Sequence, residues 1–328
     1  MLVAMSFRIT AEEAVKIILQ KGAQRVLLQL PDGLKPHGFK LAEEITRRTG
    51  ALVYVSADPC YGACDTAWEE AERLKIDLLI HYGHSPMPTE GGVETVYLAV
   101  EGEADLEALV EKALPLVEGY RKLGLTAAVQ HVQALGRLKE ILAARGIGAE
   151  IGPAAGRVAY GGQILGCDYT TAQKIRSAVD AFLYLGGGLF HPLGIFISTG
   201  KPVVVLDPYL DRVMEVSKMG AKLMKQRQAA VAKLLEAEKL GILVGLKPGQ
   251  RNVPQAEALK EKLEKLGKKA VLLCVREVTP EVLDNFPDVE AFVNTACPRI
   301  GFDDGFRFRK PLVTPEEVSK LLRNHGEA

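Results

Sequence analysis

The sequence predicts an α/β protein of three similar units, each with a mainly parallel four-stranded sheet, packed around a shared central site. Three observations predict this. Short unbroken runs of Val, Leu and Ile alternate with helical patterns along the whole chain. Unbroken apolar runs, rather than strictly alternating ones, suit parallel strands covered on both faces. The alternation then recurs with a period of about 100 residues, too long for a short-repeat solenoid. Finally, no low-complexity linker separates the repeats, so the units are expected to pack tightly.

The first unit is placed at residues 1–104. Its predicted strands are Arg25–Leu30, Ala51–Ser56, Asp77–His81 and Thr95–Leu98, separated by helices at Ala11–Lys21, Phe39–Thr49 and Asp65–Leu74. The second unit, 105–210, has predicted strands at Thr126–Gln130, Ala149–Gly152, Ala181–Leu185 and Pro202–Leu206. The third, 211–328, has them at Gly241–Leu246, Lys269–Val275, Ala291–Thr295 and Pro311–Val313. Long helices are expected at Asp105–Leu123 and Asp211–Leu240, leading from one unit into the next. The words LQKG, YRKLG and AEKLG read as helices stopped by glycine, the residue that tolerates a left-handed cap.

Composition narrows the class. The 328 residues are 48% apolar and 25% charged, as in ordinary globular domains. Lys+Arg and Asp+Glu balance at 41 each, which argues against a large basic surface and so against nucleic acid as a partner. A local basic patch is conceivable around Arg299, Arg307, Arg309 and Lys310. The N-terminus passes quickly into an amphipathic helix with no signal-peptide pattern. No apolar run approaches a membrane span. A cytoplasmic protein with reduced thiols is expected, and no membrane partner.

The five cysteines are odd in number and sparse, so disulfides are the least favoured reading. Cys274 lies inside the predicted strand AVLLCV and reads as a small core hydrophobe. The others fall beyond strand ends, where ligands gather in parallel α/β sheets. Cys60 and Cys64 follow the second strand of unit one, in DPCYGACD. Cys167 follows the second strand of unit two, in GGQILGCDY. Cys297 ends the third strand of unit three, in NTACPRIGFDD. Each unit thus offers a thiol in a Gly- or Pro-bent loop, where backbone N–H groups can turn toward cluster sulfurs. Spacing alone leaves open whether these thiols converge as ligands or are packed separately, since no C-x₂-C pair occurs.

The words around the cysteines resemble a known family. YGACD at 61–65, GQILGCDYT at 162–170 and ACPRIGFDD at 296–304 are similar to the archaeal diphthamide-biosynthesis enzymes, the 2-(3-amino-3-carboxypropyl)histidine synthases. LQLPDGLK at 28–35, LIHYGHS at 79–85, GGGLFHPLG at 186–194 and VVLDPY at 204–209 agree in order. The resemblance runs from about residue 20 to residue 315. It implies three α/β domains, each giving one cysteine to a single [4Fe–4S] cluster; by position these are Cys64, Cys167 and Cys297. Three thiolates leave one iron open to S-adenosylmethionine. Cys60-x₃-Cys64 begins the compact radical-enzyme loop C-x₃-C-x₂-C, but position 67 is Ala, and Cys60 departs from the family pattern as an extra neighbour. The implied reaction moves the 3-amino-3-carboxypropyl group of S-adenosylmethionine to a histidine imidazole carbon of translation elongation factor 2. The implied partners are that protein, an external electron donor and a second copy of the chain in a homodimer.

Polar residues at strand ends are candidates for holding S-adenosylmethionine: Gln29 and Asp32 in unit one, Gln130, His131 and Gln163 in unit two. Gly187 and Gly188, in Gly186–Gly188, are candidates for presenting backbone N–H groups to its carboxylate. His81, His84 and Ser85 of HYGHS are further candidates, as are Asp303 and Asp304. The plain alternative for each is turn chemistry or capping, and His191, before a proline, reads as structural. No Ser-His-Asp order or phosphate-binding Gly-Lys-Ser/Thr loop is present. Two other readings use the same residues. Zinc accepts three thiolates with an open position and would serve hydrolysis. A non-catalytic electron-relay or scaffold paralogue would keep the fold, but the full ligand set argues against it.

Overall fold

A computed structural model describes residues 7–87 and 92–324. The chain divides into two compact units, Met1–Val216 and Ser217–Ala328. Among the described residues, the first holds two of the larger sheets and the second holds one.

The first sheet contains Leu52–Val55, Arg25–Gln29, Leu78–Tyr82 and Thr95–Leu98, in that spatial order and all parallel. Its helices are Glu12–Lys21, Gly38–Thr49 and Trp68–Arg73. Gly22 does stop the first helix: its φ is 65°, and its N–H bonds Ile18 and Leu19 carbonyls. The apolar runs are unbroken because both faces are covered. Val26, Leu28 and Ile80 face Ile18 and Ile45, while Leu27 and Leu79 face Ala67, Ala71 and Ile76.

The second sheet runs Gly148–Ile151, Lys122–Ala127, Ala181–Leu185, Val203–Asp207, again parallel. A fifth strand absent from the sequence reading, Arg212–Glu215, folds back antiparallel on Val203–Asp207. The third sheet runs Lys269–Val275, Lys239–Gly245, Ala291–Asn294, Leu312–Val313, all parallel. The four parallel strands of each of these three sheets thus have the order second, first, third, fourth. The chain reverses direction across each sheet beside its first strand, and parallel sheets bind ligands at the carboxyl end of such a reversal.

The repetition extends to a clasp. Asp77 Oδ2 accepts the backbone N–H groups of Gln24 and Arg25 at 2.9 and 2.8 Å. Asp180 Oδ2 does the same for Arg121 and Lys122, at 2.8 and 2.9 Å. Glu290 Oε2 does it for Glu238 and Lys239, at 2.5 and 3.2 Å. In each sheet an acid before the third strand pins the start of the first.

Two expected helix stops are something else. The helix expected to end at YRKLG spans Leu106–Val117, and Gly124 lies within strand Lys122–Ala127. The helix expected to end at AEKLG spans Ser217–Glu236, and Gly241 lies within Lys239–Gly245. A Cβ at Gly124 would stand 2.4 Å from the Phe182 ring, and one at Gly241 2.7 Å from the Phe292 ring. These glycines make room for an aromatic ring on the neighbouring strand, not for a left-handed cap. Cys274 is also corrected: it is exposed, because Lys269–Val275 is an edge strand whose outward positions face solvent. Among the described residues no helix is long and apolar enough to cross a membrane.

Candidate metal centre and cofactor pocket

The loop after Leu52–Val55 carries Cys60 and Cys64. Gln29, the last residue of the first strand, is 3% exposed and holds this loop. Its Nε2 donates to the Asp65 carbonyl at 2.6 Å, and its Oε1 accepts from the Ala67 N–H at 3.1 Å. Thr66 Oγ1 donates to the Ala63 carbonyl at 3.0 Å. Lys35 pairs with Asp32 at 2.7 Å and donates to the Ala57 and Asp58 carbonyls, fixing the start of the same loop. Gln29 therefore bonds the backbone around Cys64, whereas Asp32 pairs with Lys35, the residue that fixes the start of that loop; for both, turn chemistry was the plain alternative.

The loop after Gly148–Ile151 carries Cys167. Leu165 and Asp168 exchange backbone bonds at 3.1 Å, so Cys167 sits at the tip of a tight turn. Asp168, 7% exposed, braces the turn by accepting the Arg157 N–H at 2.5 Å and the Thr170 N–H at 2.8 Å. Gly156 must be glycine here, since its φ is 66° and a Cβ would stand 2.2 Å from Asp168 Oδ2. Gln163 is wholly buried; its Oε1 accepts from Ala159 and Tyr160 N–H groups, and its Nε2 donates to Ser85 Oγ at 2.6 Å. Gln130 Nε2 donates to the Gly83 carbonyl at 2.8 Å. Gln130 and Gln163 thus join this region to the loop after Leu78–Tyr82.

Loss of water around the Cys167 sulfur raises its pKa, and the Arg157 guanidinium opposes the rise. Cys64 lies near enough for its own charge to push Cys167 further up. The structure brings these two expected ligands into electrostatic reach of one another within the first unit. Arg157 Nη1 approaches Cys167 Sγ to 3.8 Å. Arg157 also lines a cavity of about 340 Å³ with Pro86, Met87, Gly156, Val158 and Ala159, within the range of small-ligand sites. Sequence reasoning missed Arg157, although a cation in the Gly-rich word PAAGRVAYGG just before a candidate ligand was a usable signal.

Other candidates fall elsewhere. His131 is 1% exposed, its Nε2 lies 2.8 Å from the Tyr209 hydroxyl, and burial lowers its pKa to about 4. A Cβ at Gly187 would meet the Tyr209 ring at 2.5 Å, whereas the space at Gly188, φ 78°, is open. His191 Nδ1 lies 3.0 Å from the Tyr184 hydroxyl.

In the second unit, Cys297 stands at the N-cap position of the short helix Pro298–Asp303, with no capping bond from its side chain. Buried Asn294 shapes its turn: Nδ2 donates to the Cys297 carbonyl at 2.7 Å, and Oδ1 accepts from the Ala296 N–H at 3.0 Å. Arg227, also missed from sequence, holds the helix after Cys297 by donating from Nη1 to the Gly301 carbonyl at 2.7 Å. Its other nitrogens grip both carboxylate oxygens of Glu317, at 2.8 and 2.5 Å. Asp304 pairs with Arg307 at 3.5 Å; the Asp303 side chain lies outside the described residues.

Comparison with known proteins follows the same residues. The chain matches the family model of diphthamide synthesis proteins over residues 30–327. It is 35% identical over 319 residues to the 2-(3-amino-3-carboxypropyl)histidine synthase of Pyrococcus horikoshii, covering 97% of this chain and 91% of that protein. It is 31% identical over 312 residues to subunit 1 of the Homo sapiens synthase of that name, covering 94% and 70%. The crystal structure of Dph2 from Pyrococcus horikoshii with a 4Fe-4S cluster matches with a TM-score of 0.88 at 34% identity, over 100% of this chain and 93% of that one. The resemblance and the α/β fold with mainly parallel sheets are borne out.

Proposed function

The chain belongs to the diphthamide-synthesis family, and on that premise we propose that it is a cytoplasmic 2-(3-amino-3-carboxypropyl)histidine synthase acting on translation elongation factor 2. The reaction joins the aminocarboxypropyl group of S-adenosylmethionine to a histidine imidazole carbon. The sulfur–Cγ bond breaks, a Cγ–carbon bond forms, and methylthioadenosine and one proton leave. An electron from an external donor enters at cleavage and is returned when the imidazole adduct loses its proton.

The observation that carries the reading is the pair Cys64 and Cys167, on loops after the corresponding second strands of two sheets and close enough for one charge to act on the other. Cys64, Cys167 and Cys297 would hold the [4Fe–4S] cluster. The donor set fits it: these are cysteines outside any disulfide, on bent loop backbone, as cluster ligands are elsewhere. When bound, the cluster supplies the electron that splits the sulfonium. The protein's own part is placement. Gln29 and Asp168 hold the two loops, and the cavity beside Arg157 offers a cation to the carboxylate of S-adenosylmethionine. A homodimer is proposed with the family reading.

Product analysis tests the reading. Reduced protein with S-adenosylmethionine alone should yield methylthioadenosine with 2-aminobutyrate or its coupled dimer. With elongation factor 2 present, the group should appear on one histidine. Dominant 5′-deoxyadenosine and methionine would overturn the reading.

A further inference from the structure

Cys60 stands outside the ligand set just assigned. It is 5% exposed in the loop before Cys64, and its thiol faces two histidines of the HYGH word. Cys60, His81 and His84 each bring one ligand atom within 4.8 Å of the others.

A fixed tautomer distinguishes this group from chance packing. Gln29 Oε1 is an acceptor, because it takes the Ala67 N–H while Nε2 donates to the Asp65 carbonyl. His81 Nδ1, 2.9 Å from Oε1, must therefore carry its proton and donate it. That leaves a lone pair on His81 Nε2, which lies 2.8 Å from His84 Nδ1. Metal-bound histidines are held in this way, with the distal N–H on a carbonyl oxygen. Burial pushes the Cys60 thiol up to about 12, so the metal has to displace that proton to bind.

We propose that Cys60, His81 and His84 form a mononuclear metal site, separate from the iron–sulfur centre, that takes zinc. One sulfur and two imidazole nitrogens suit that borderline-soft ion, and a fourth position remains for water or another ligand. Binding moves no electrons. Zinc bonds the Cys60 sulfur and its S–H proton leaves to solvent; the proton between the two rings passes to the outer nitrogen of His84. The site ties the cysteine loop to strand Leu78–Tyr82 four residues before Cys64, and so steadies that loop. It goes beyond the proposed reaction, and nothing in it depends on S-adenosylmethionine.

The test uses anaerobically prepared, cluster-loaded protein, so that zinc cannot occupy the cluster cysteines. The protein is titrated with zinc against a competing chelator, and zinc, iron and sulfide are counted. One equivalent of zinc should bind with iron and sulfide unchanged, and should raise the melting temperature. Cobalt in its place should give the intense visible bands of a tetrahedral thiolate site. The near-isosteric Cys60→Ser should weaken zinc binding by at least about tenfold, as should His84→Ala; loss of a supporting group alone costs about 10–100-fold. Zinc retained equally by Cys60→Ser overturns the proposal, as does protein that takes up none. Zinc uptake matched by iron loss also overturns it, by assigning Cys60 to the cluster. Each outcome is read without turnover, so failure here leaves the transferase reading intact.

Discussion

Arg157 Nη1 lies 3.8 Å from Cys167 Sγ, which sets a permanent cation beside one of the two neighbouring cysteines of the first unit. Desolvation of the sulfur raises that thiol although the residue as a whole is exposed, and Arg157 is the leading opposing influence. In cluster-free protein, Arg157→Leu should raise the Cys167 pKa further and slow its alkylation at neutral pH, because the thiolate is the reactive form. Arg157→Lys should restore part of the rate. Mass-resolved alkylation against pH reads the shift; equal rates in all three proteins would show that the guanidinium does not act on the sulfur.

The ligand assignment predicts a division among the cysteines. Alanine at Cys64, Cys167 or Cys297 should cost most of the iron after anaerobic reconstitution. Cys274→Ala should keep full iron. Since Cys274 is exposed on an edge strand, that change should alter stability by no more than about 0.5 kcal/mol. A core cysteine would cost more. Iron analysis and a urea titration check both halves.

Arg227 is 8% exposed and makes four hydrogen bonds, two to Glu317 and one each to the Gly301 and Leu312 carbonyls. Arg227→Met leaves Glu317 and those carbonyls without their donor. Removing one member of a buried pair costs about 3–5 kcal/mol. The loss should appear as faster amide exchange within Ser217–Asn324, with Lys122–Ala127 in the first unit unaffected.

Acid should weaken the first unit before its carboxylates titrate. His131 has its pKa lowered from 6.5 to about 4, chiefly by burial. The unfolded chain therefore binds a proton near pH 6.5 that the folded chain refuses until about pH 4. The stability linked to this group is complete above pH 6.5 and declines as pH falls toward 4. His131→Asn should reduce the slope of that part of the profile, to which His81 and His84 also contribute, whatever its effect at neutral pH. Denaturation midpoints at several pH values between 7.5 and 4 are the measurement; identical slopes in variant and parent would exclude His131 as the source.

Most strand positions and the strand-end cysteines were legible in the sequence because local chemistry writes them there, but the strand expected at Thr126–Gln130 is Lys122–Ala127, with Val129–Ala134 a 3₁₀ helix. Ala181–Leu185 and Lys269–Val275 are long apolar runs with no rival reading, and Cys64, Cys167 and Cys297 stand in Gly- or Pro-bent words just past strands. Gly22 was also legible, since a left-handed cap is a local conformation. Gly124 and Gly241 were not. Their role is to clear Phe182 and Phe292, residues more than fifty positions away, and only strand pairing brings those rings over them. Cys274 shows the same limit: strand periodicity predicts the element, whereas edge or centre is a property of the sheet. Gln29, Gln163, Arg157 and Arg227 carry donors that any polar strand-end or helical residue carries. Whether such a group meets a ligand, a loop carbonyl or a cysteine depends on which distant backbone groups lie within about 3–4 Å, the reach of a hydrogen bond, and chain topology alone decides that.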